Sequence, residues 1–318
     1  MSKTKTSKPK EKLYPQGLGK VLAKDFRINK TLYLMALPVV AYYIIFHYVP
    51  LYGALIAFKD FSPRLGILGS PWAGFKHFYN FLTAPSFLPL LWNTLTISLS
   101  TLVFSFPIPI ILALLLNELR SNTYAKIIQN LTYIPHFISL VVICGMVKDF
   151  TMDDGIVVQF MELFGFEPRT LLNYPEFFVP VYIISGIWST CGWNSIIYLA
   201  ALTGVDIQLY EAARIDGANR WQQLLNVTLP SIIPTIIIML ILKIGGLLSV
   251  GYEKILLLYN DATRSVSDVI STYVYRRGLI ERSWSFSTAV GLFNSVVNFA
   301  LISLANSISK RVGETSLW

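Results

Sequence analysis

Six stretches of this chain alternate with polar segments and carry almost no charge. Thr31 to Phe58, His77 to Asn117, Ile127 to Val147, Phe177 to Val205 and Ser285 to Ser309 contain no Asp, Glu, Lys or Arg, and Val227 to Tyr252 contains only Lys243. Each exceeds the roughly 18 apolar residues that mark a membrane-crossing helix. A soluble protein of 318 residues could bury one helix that is apolar all round. Six would leave too little polar surface to face water. The pattern predicts an all-α integral membrane protein with six transmembrane helices. Prolines recur inside the stretches at positions 38, 50, 107, 109, 135 and 180. Each removes a backbone donor, so kinks are expected there, with the freed carbonyls re-satisfied by neighbouring helices.

Composition agrees with lipid as solvent. The chain is 54% apolar and only 14% charged, against roughly 25% charged for soluble domains. The first apolar stretch follows thirty polar residues and is longer than the roughly 7 to 15 residues of a signal-peptide core, so it is expected to remain as an anchor. Cys144 and Cys191 both fall inside predicted spans, where they read as small buried side chains rather than a disulfide framework.

Charge supplies orientation. Positions 1–30 hold nine Lys or Arg against Glu11 and Asp25, a net +7, and basic flanks stay in the cytoplasm. The segment from Lys148 to Glu176 holds six acids against two bases, a net −4, which places it outside after three spans. Arg120 with Lys126, and Lys310 with Arg311, fall inside, so both termini are expected in the cytoplasm of a multi-pass cell-membrane protein. The loop beginning at Asp206 is uninformative by charge, and its inside placement rests on counting spans. The basic arm could suggest nucleic acid, but anchoring beside anionic lipid explains it without such a partner. The expected organisation is a cytoplasmic arm at 1–30, a six-helix domain at 31–310 with a cytoplasmic loop at 206–228, and a cytoplasmic tail at 311–318.

Enzyme chemistry is hard to find. There is no Gly-x-x-x-x-Gly-Lys-Ser/Thr to cradle phosphates, so any ATP would be bound by another subunit. His47, His77 and His136 have no ligand-spaced partners, and no metal site is expected. No nucleophile stands beside an obvious base. The expectation is a chain with no cofactor and no catalytic residue of its own.

The most informative segment runs from Leu209 to Pro230, between the fourth and fifth spans. It reads as two short helices meeting at a corner. Asp206 can cap the first, Asp216-Gly217 can make the turn, and Asn219 with Gln222 can form a capping box on the second. Small Ala212 and Ala213 leave a face that another protein can approach closely, flanked by Glu211 and Arg214. An ordinary amphipathic loop would also fit this pattern.

The run Glu211-Ala212-Ala213, three residues, Gly217, nine residues, Val227, one residue, Leu229-Pro230 resembles the EAA loop of bacterial ABC importer permeases, with Val227 in place of the more usual Ile. Ile207 stands where a proline often follows the Asp. The words Thr203-Gly-Val-Asp, Tyr210-Glu-Ala-Ala-Arg-Ile-Asp-Gly-Ala, Gly251-Tyr-Glu-Lys-Ile-Leu-Leu-Leu-Tyr-Asn and Ser271-Thr-Tyr-Val-Tyr-Arg-Arg-Gly-Leu resemble sugar-type permeases, particularly those for complex oligosaccharides. The resemblance covers roughly Trp92 to the C-terminus. It implies a type I ABC importer permease fold, a heterodimer with a second, homologous permease, two ATPase subunits that bind ATP and Mg, and an extracytoplasmic lipoprotein that delivers substrate. Carried over, Glu211, Ala212, Ala213 and Gly217 would transmit ATP-driven closure, and Leu229 and Pro230 would start the fifth span at a fixed angle. A permease for another small solute, a channel or carrier not coupled to ATP, and a membrane scaffold are the alternatives.

Sugars present apolar ring faces and many hydroxyls, so aromatics and amides are the expected lining. Trp188, Trp193, Asn194 and Tyr198 supply that mixture in the fourth span, although Trp is also common at membrane interfaces. Asn294 and Asn298 share a face of the sixth span, where amides serve either to bind ligand or to join helices. Lys243 lies thirteen residues past Pro230, about 20 Å along a helix, where a cation is costly and should face protein or water. It could hold carbonyls freed near Gly245-Gly246, pair with Glu253, or contact an anionic sugar, which would make the substrate a uronate-bearing oligosaccharide.

Overall fold

The computed structural model describes residues 25–119, 121–313 and 316–317. The basic arm up to position 24, Arg120 of the short turn and positions 314, 315 and 318 of the tail lie outside the described residues. The main helices, in chain order, are α1 (Lys30–Phe58), α2 (Lys76–Leu82), α3 (Phe87–Glu118), α4 (Asn122–Phe137), α5 (Leu140–Phe150), α6 (Pro175–Thr203), α7 (Ile207–Ile215), α8 (Arg220–Gly245), α9 (Tyr252–Leu258), α10 (Ile270–Tyr275) and α11 (Trp284–Gly313). Among the described residues α1, α3, α8 and α11 are long and apolar enough to cross a membrane, and the bent pairs α4–α5 and α6–α7 bring the total to six.

Contacts group the chain into a unit ending at Leu55 and a second beginning at Ile56. In the first, the helix from Lys30 to Tyr43 runs through a π-helical segment at Ile44–Tyr48 into Val49–Leu51. The same device recurs in the second unit. A π segment at Thr101–Ser105 precedes Pro107, and one at Leu224–Thr228 precedes Pro230, as Ile44–Tyr48 precedes Pro50. A proline has no N–H for the carbonyl four residues back and its ring crowds that carbonyl. Shifting the ladder to the five-residue register just before it lets the helix continue. In both α1 and α8 the first N–H past the π segment bonds the carbonyl five residues back, Val49 to Ile44 and Leu229 to Leu224. These prolines therefore sit in unbroken spans rather than at sharp kinks.

The third apolar stretch differs from its expected form. Ile127 to Val147 is not one straight helix: α4 tightens into a 3₁₀ turn at Ile134–Phe137, the chain leaves helical geometry at Ile138, and α5 departs at 102°. Pro135 sits in that turn, and Ser139 restarts the helix by accepting a hydrogen bond from the Val142 N–H at 3.4 Å. A proline followed four residues later by a side-chain cap favours a break over a continuous ladder.

The second unit packs around α6. Ile97 of α3, Ile143 and Cys144 of α5, Phe178 and Val181 of α6, and Ile255 and Leu258 of α9 form one buried cluster. Ala113 of α3, Tyr198 and Leu202 of α6 and Ile232 of α8 form another. Helix α6 approaches α4 closely at Gly192, where a β-carbon would stand 2.2 Å from the Thr132 carbonyl oxygen; only glycine leaves room. Between Phe58 and α3 the chain folds back on itself through an antiparallel bridge between Lys59 and Trp72. Lys76 pairs with Asp60 at 2.9 Å, and together with His77 holds that carboxyl below its usual range. The Phe61 N–H donates to Ser285 Oγ at 2.9 Å, tying this segment to the start of α11.

Candidate functional site

Two regions carry candidate function: the corner between α6 and α8, and a cavity against α6 whose mostly apolar lining includes two lysines and several hydroxyls. At the corner, Asp206 caps α7 by accepting from the Gln208 N–H at 2.9 Å, so Ile207 starts the helix without a proline. Gly217 closes the turn with φ +81°, a left-handed conformation that costs other residues roughly 1–2 kcal/mol. Asn219 and Gln222 complete a reciprocal capping box, each side chain accepting from the other's backbone N–H at 2.9 and 2.8 Å. Leu229 and Pro230 then open the α-helical part of α8.

The corner is tied to the spans at two points. The Tyr210 and Thr228 hydroxyls hydrogen-bond at 2.9 Å, and Arg220 approaches Glu118 at the end of α3 at 3.7 Å. Glu211 and Ala212 are exposed, as are Ile215 (87%) and Trp221 (67%). An apolar tip beside a small-residue face and a free carboxylate can dock another protein.

Two adjoining parts of the cavity, of about 280 and 180 Å³, share Thr101, Tyr182 and Lys243 as lining. The larger adds Ser189, Thr190, Asn194 and Tyr198 of α6 and Lys254 of α9. The structure thus brings together Asn194, Tyr198 and Lys243, three of the residues singled out by sequence. Of the roles open to Lys243, neither the Gly245-Gly246 carbonyls nor Glu253 holds it. Its ammonium makes no hydrogen bond or ion pair among the described residues, and it faces the cavity.

The remaining candidates stand elsewhere. Trp188 lines a separate apolar groove with Val147, Phe177 and Ile184. Trp193 stacks on His136 at 4.5 Å with nearly parallel rings, covering the break between α4 and α5. Asn294 and Asn298 hold the joint where α8 ends. Asn298 Oδ1 accepts from the Leu248 N–H at 3.1 Å, its Nδ2 donates to Ser249 Oγ at 2.8 Å, and Asn294 Nδ2 donates to the Leu248 carbonyl at 3.3 Å. Ser98 of α3 donates to the Leu247 carbonyl. These amides satisfy backbone that has left the helix, the helix-joining role open to them.

One cavity residue was not legible as such. Lys254 donates to the Tyr182 carbonyl at 2.7 Å and lies 4.4 Å from the centre of that ring. The only signal was a cation four positions before the buried Leu258, on one face of a short helix, inside a word that otherwise marks kinship alone.

Residues 76–314 match the family model described as a binding-protein-dependent transport system inner membrane component. The chain is 47% identical, over 91% of each protein, to the polygalacturonan/rhamnogalacturonan transport system permease protein YteP of Bacillus subtilis (strain 168). It superposes with a TM-score of 0.84 and 41% identity, over 92% of this chain and 99% of that one, on a chain of a bacterial ABC transporter involved in the import of the acidic polysaccharide alginate. A chain of the alginate transporter in complex with its alginate pentasaccharide-bound periplasmic protein gives 0.85 and 41% over 93% and 99%. With the corner, the six candidate spans and this kinship in agreement, the chain belongs to the inner membrane components of binding-protein-dependent ABC transport systems.

Proposed function

We propose that this chain is one permease half of an ATP-driven importer that carries acidic, uronate-bearing oligosaccharides into the cytoplasm. The observation that supports the substrate is Lys243, a cation without a counter-charge that faces a cavity lined by hydroxyls and the Asn194 amide. A charge at that position along a span is retained only where protein, water or ligand compensates it. Relatives that handle polygalacturonan and alginate handle polymers of uronic acids, which supply such a charge.

In this reading both termini and the corner at 206–228 face the cytoplasm. The corner seats in one of two ATPase subunits, which bind ATP and Mg; this chain binds neither and catalyses nothing. Glu211, Ala212, Ala213 and Gly217 receive ATP-driven closure, and Leu229 and Pro230 pass it into α8. A second, homologous permease completes the pathway as a heterodimer, and an extracytoplasmic binding lipoprotein delivers the sugar. Transport proceeds by alternating access.

The test is uptake by the complete transporter in proteoliposomes, comparing an oligogalacturonate with its methyl ester. Lys243→Gln should reduce uptake of the acid by about tenfold and leave the ester near its wild-type rate. Equal loss for both would sink the acidic-substrate reading.

A further inference from the structure

Lys243 is not alone. Lys254 lines the same cavity from a different element, α9, and it too has no ion-pair partner among the described residues. Its ammonium is satisfied by one neutral carbonyl and the face of one ring, both belonging to Tyr182. Two cations, Lys243 exposed and Lys254 partly buried, line one half-enclosed space with no carboxylate among the described residues within ion-pairing distance of either, which leaves an excess of positive charge beside it.

The surroundings of Lys254 accommodate its ammonium closely. Position 186 on α6 is glycine, and a β-carbon there would stand 3.2 Å from Lys254 Nζ. A larger side chain would occupy the space the ammonium uses. The single hydrogen bond to Tyr182 is also exchangeable. An ammonium has three donors, and a charge-assisted bond to a carboxylate is about twice as strong as one between neutral groups. Ser189, Thr190 and Asn194 continue along α6 on the cavity side and provide partners for sugar hydroxyls next to the cation.

We propose that Lys254 and Lys243 together form a carboxylate-binding station for a uronate residue of the substrate, with Lys254 resting on the Tyr182 carbonyl when the station is empty and turning to the sugar carboxylate when it is filled. This rests on the acidic-substrate reading above and adds the site at which the acid is recognised. Because the two lysines come from elements on either side of the Gly246–Gly251 joint, a bound carboxylate would bridge α8 and α9 as well as bind α6.

The experiment uses the whole transporter with its binding protein and an oligogalacturonate of defined length. Uptake is measured for wild type, Lys254→Gln and Lys254→Arg. In parallel, the sugar is coupled to amines with a carbodiimide, which joins a carboxylate and a nearby lysine as an amide, and peptides are mapped by mass spectrometry. The proposal expects uptake to fall about tenfold in Lys254→Gln, to recover largely in Lys254→Arg, and a sugar adduct on Lys254 as well as Lys243. Wild-type uptake by Lys254→Gln overturns it, as does equal loss in both variants without an adduct at Lys254, the signature of a mere tie between α9 and α6. Either result with an adduct retained on Lys243 leaves the acidic-substrate reading standing. Absence of any adduct, together with unaltered uptake in Lys243→Gln, removes both.

Discussion

The corner at 206–228 and the cavity against α6 are built in opposite ways. At the corner nearly every hydrogen bond joins residues within a few positions of one another: Asp206 to Gln208, Asn219 to Gln222, and the left-handed Gly217 between them. The cavity is walled by α3, α5, α6, α8 and α9, and its joint is fixed by Asn294 and Asn298 of α11, some fifty positions from their partners. A locally specified corner keeps its shape while the spans around it move, which suits a part that must fit another subunit. A cavity walled by separate helices changes shape whenever they shift, which suits a part that must take up and release a ligand.

The contrast can be pressed hardest at Gly192. Gly192→Ala would push α6 away from the Thr132 carbonyl, and overpacking against backbone costs roughly 1–3 kcal/mol. The thermal midpoint of the purified protein should fall by several degrees, and uptake should be lost. An unchanged midpoint would mean that the α4–α6 contact relaxes freely. Gly217→Val should distort the corner while leaving the packing of the spans intact, with a smaller fall in the midpoint. A β-branched residue at φ +81° costs at least about 1–2 kcal/mol, so ATPase activity stimulated by the loaded binding protein should drop several-fold without loss of binding-protein affinity. The smallest effect belongs to Tyr210→Phe, which deletes the hydroxyl pair with Thr228 at a cost of about 0.5–1.5 kcal/mol. ATP hydrolysed per sugar imported should rise modestly; an unaltered ratio would show that the corner reaches α8 through the backbone alone.

The same contrast explains what was legible in the sequence. Caps, a turn glycine and a helix-start proline act on their neighbours, so Asp206, Gly217, Asn219 and Pro230 declared the corner as they stand. Lys243 was conspicuous because it interrupts an apolar run, and Asn194 and Tyr198 because they are polar within one. Lys254 was hidden because its partner, Tyr182, is 72 positions away. Trp188 and Trp193 were chosen for chemistry suited to sugar, yet the direction a side chain takes on an apolar helix depends on neighbours that periodicity does not name. The prolines divide in a related way: Pro135 sits at a break, as its helix-breaking tendency implies, whereas the π segments that carry the helix past Pro50 and Pro107 emerge only from the hydrogen-bond ladder.

The joint between α8 and α9 also constrains the chain's surroundings. From Gly246 to Gly251 the backbone is not helical, and although Ser98, Asn294 and Asn298 occupy some of its groups, the cavity lining includes Gly246, Ser249, Val250 and Gly251. Hydrocarbon offers no hydrogen bonds to unpaired peptide groups. A face that carries such groups suits water, sugar or another polypeptide better than acyl chains, so the joint is expected to border the aqueous route rather than lipid.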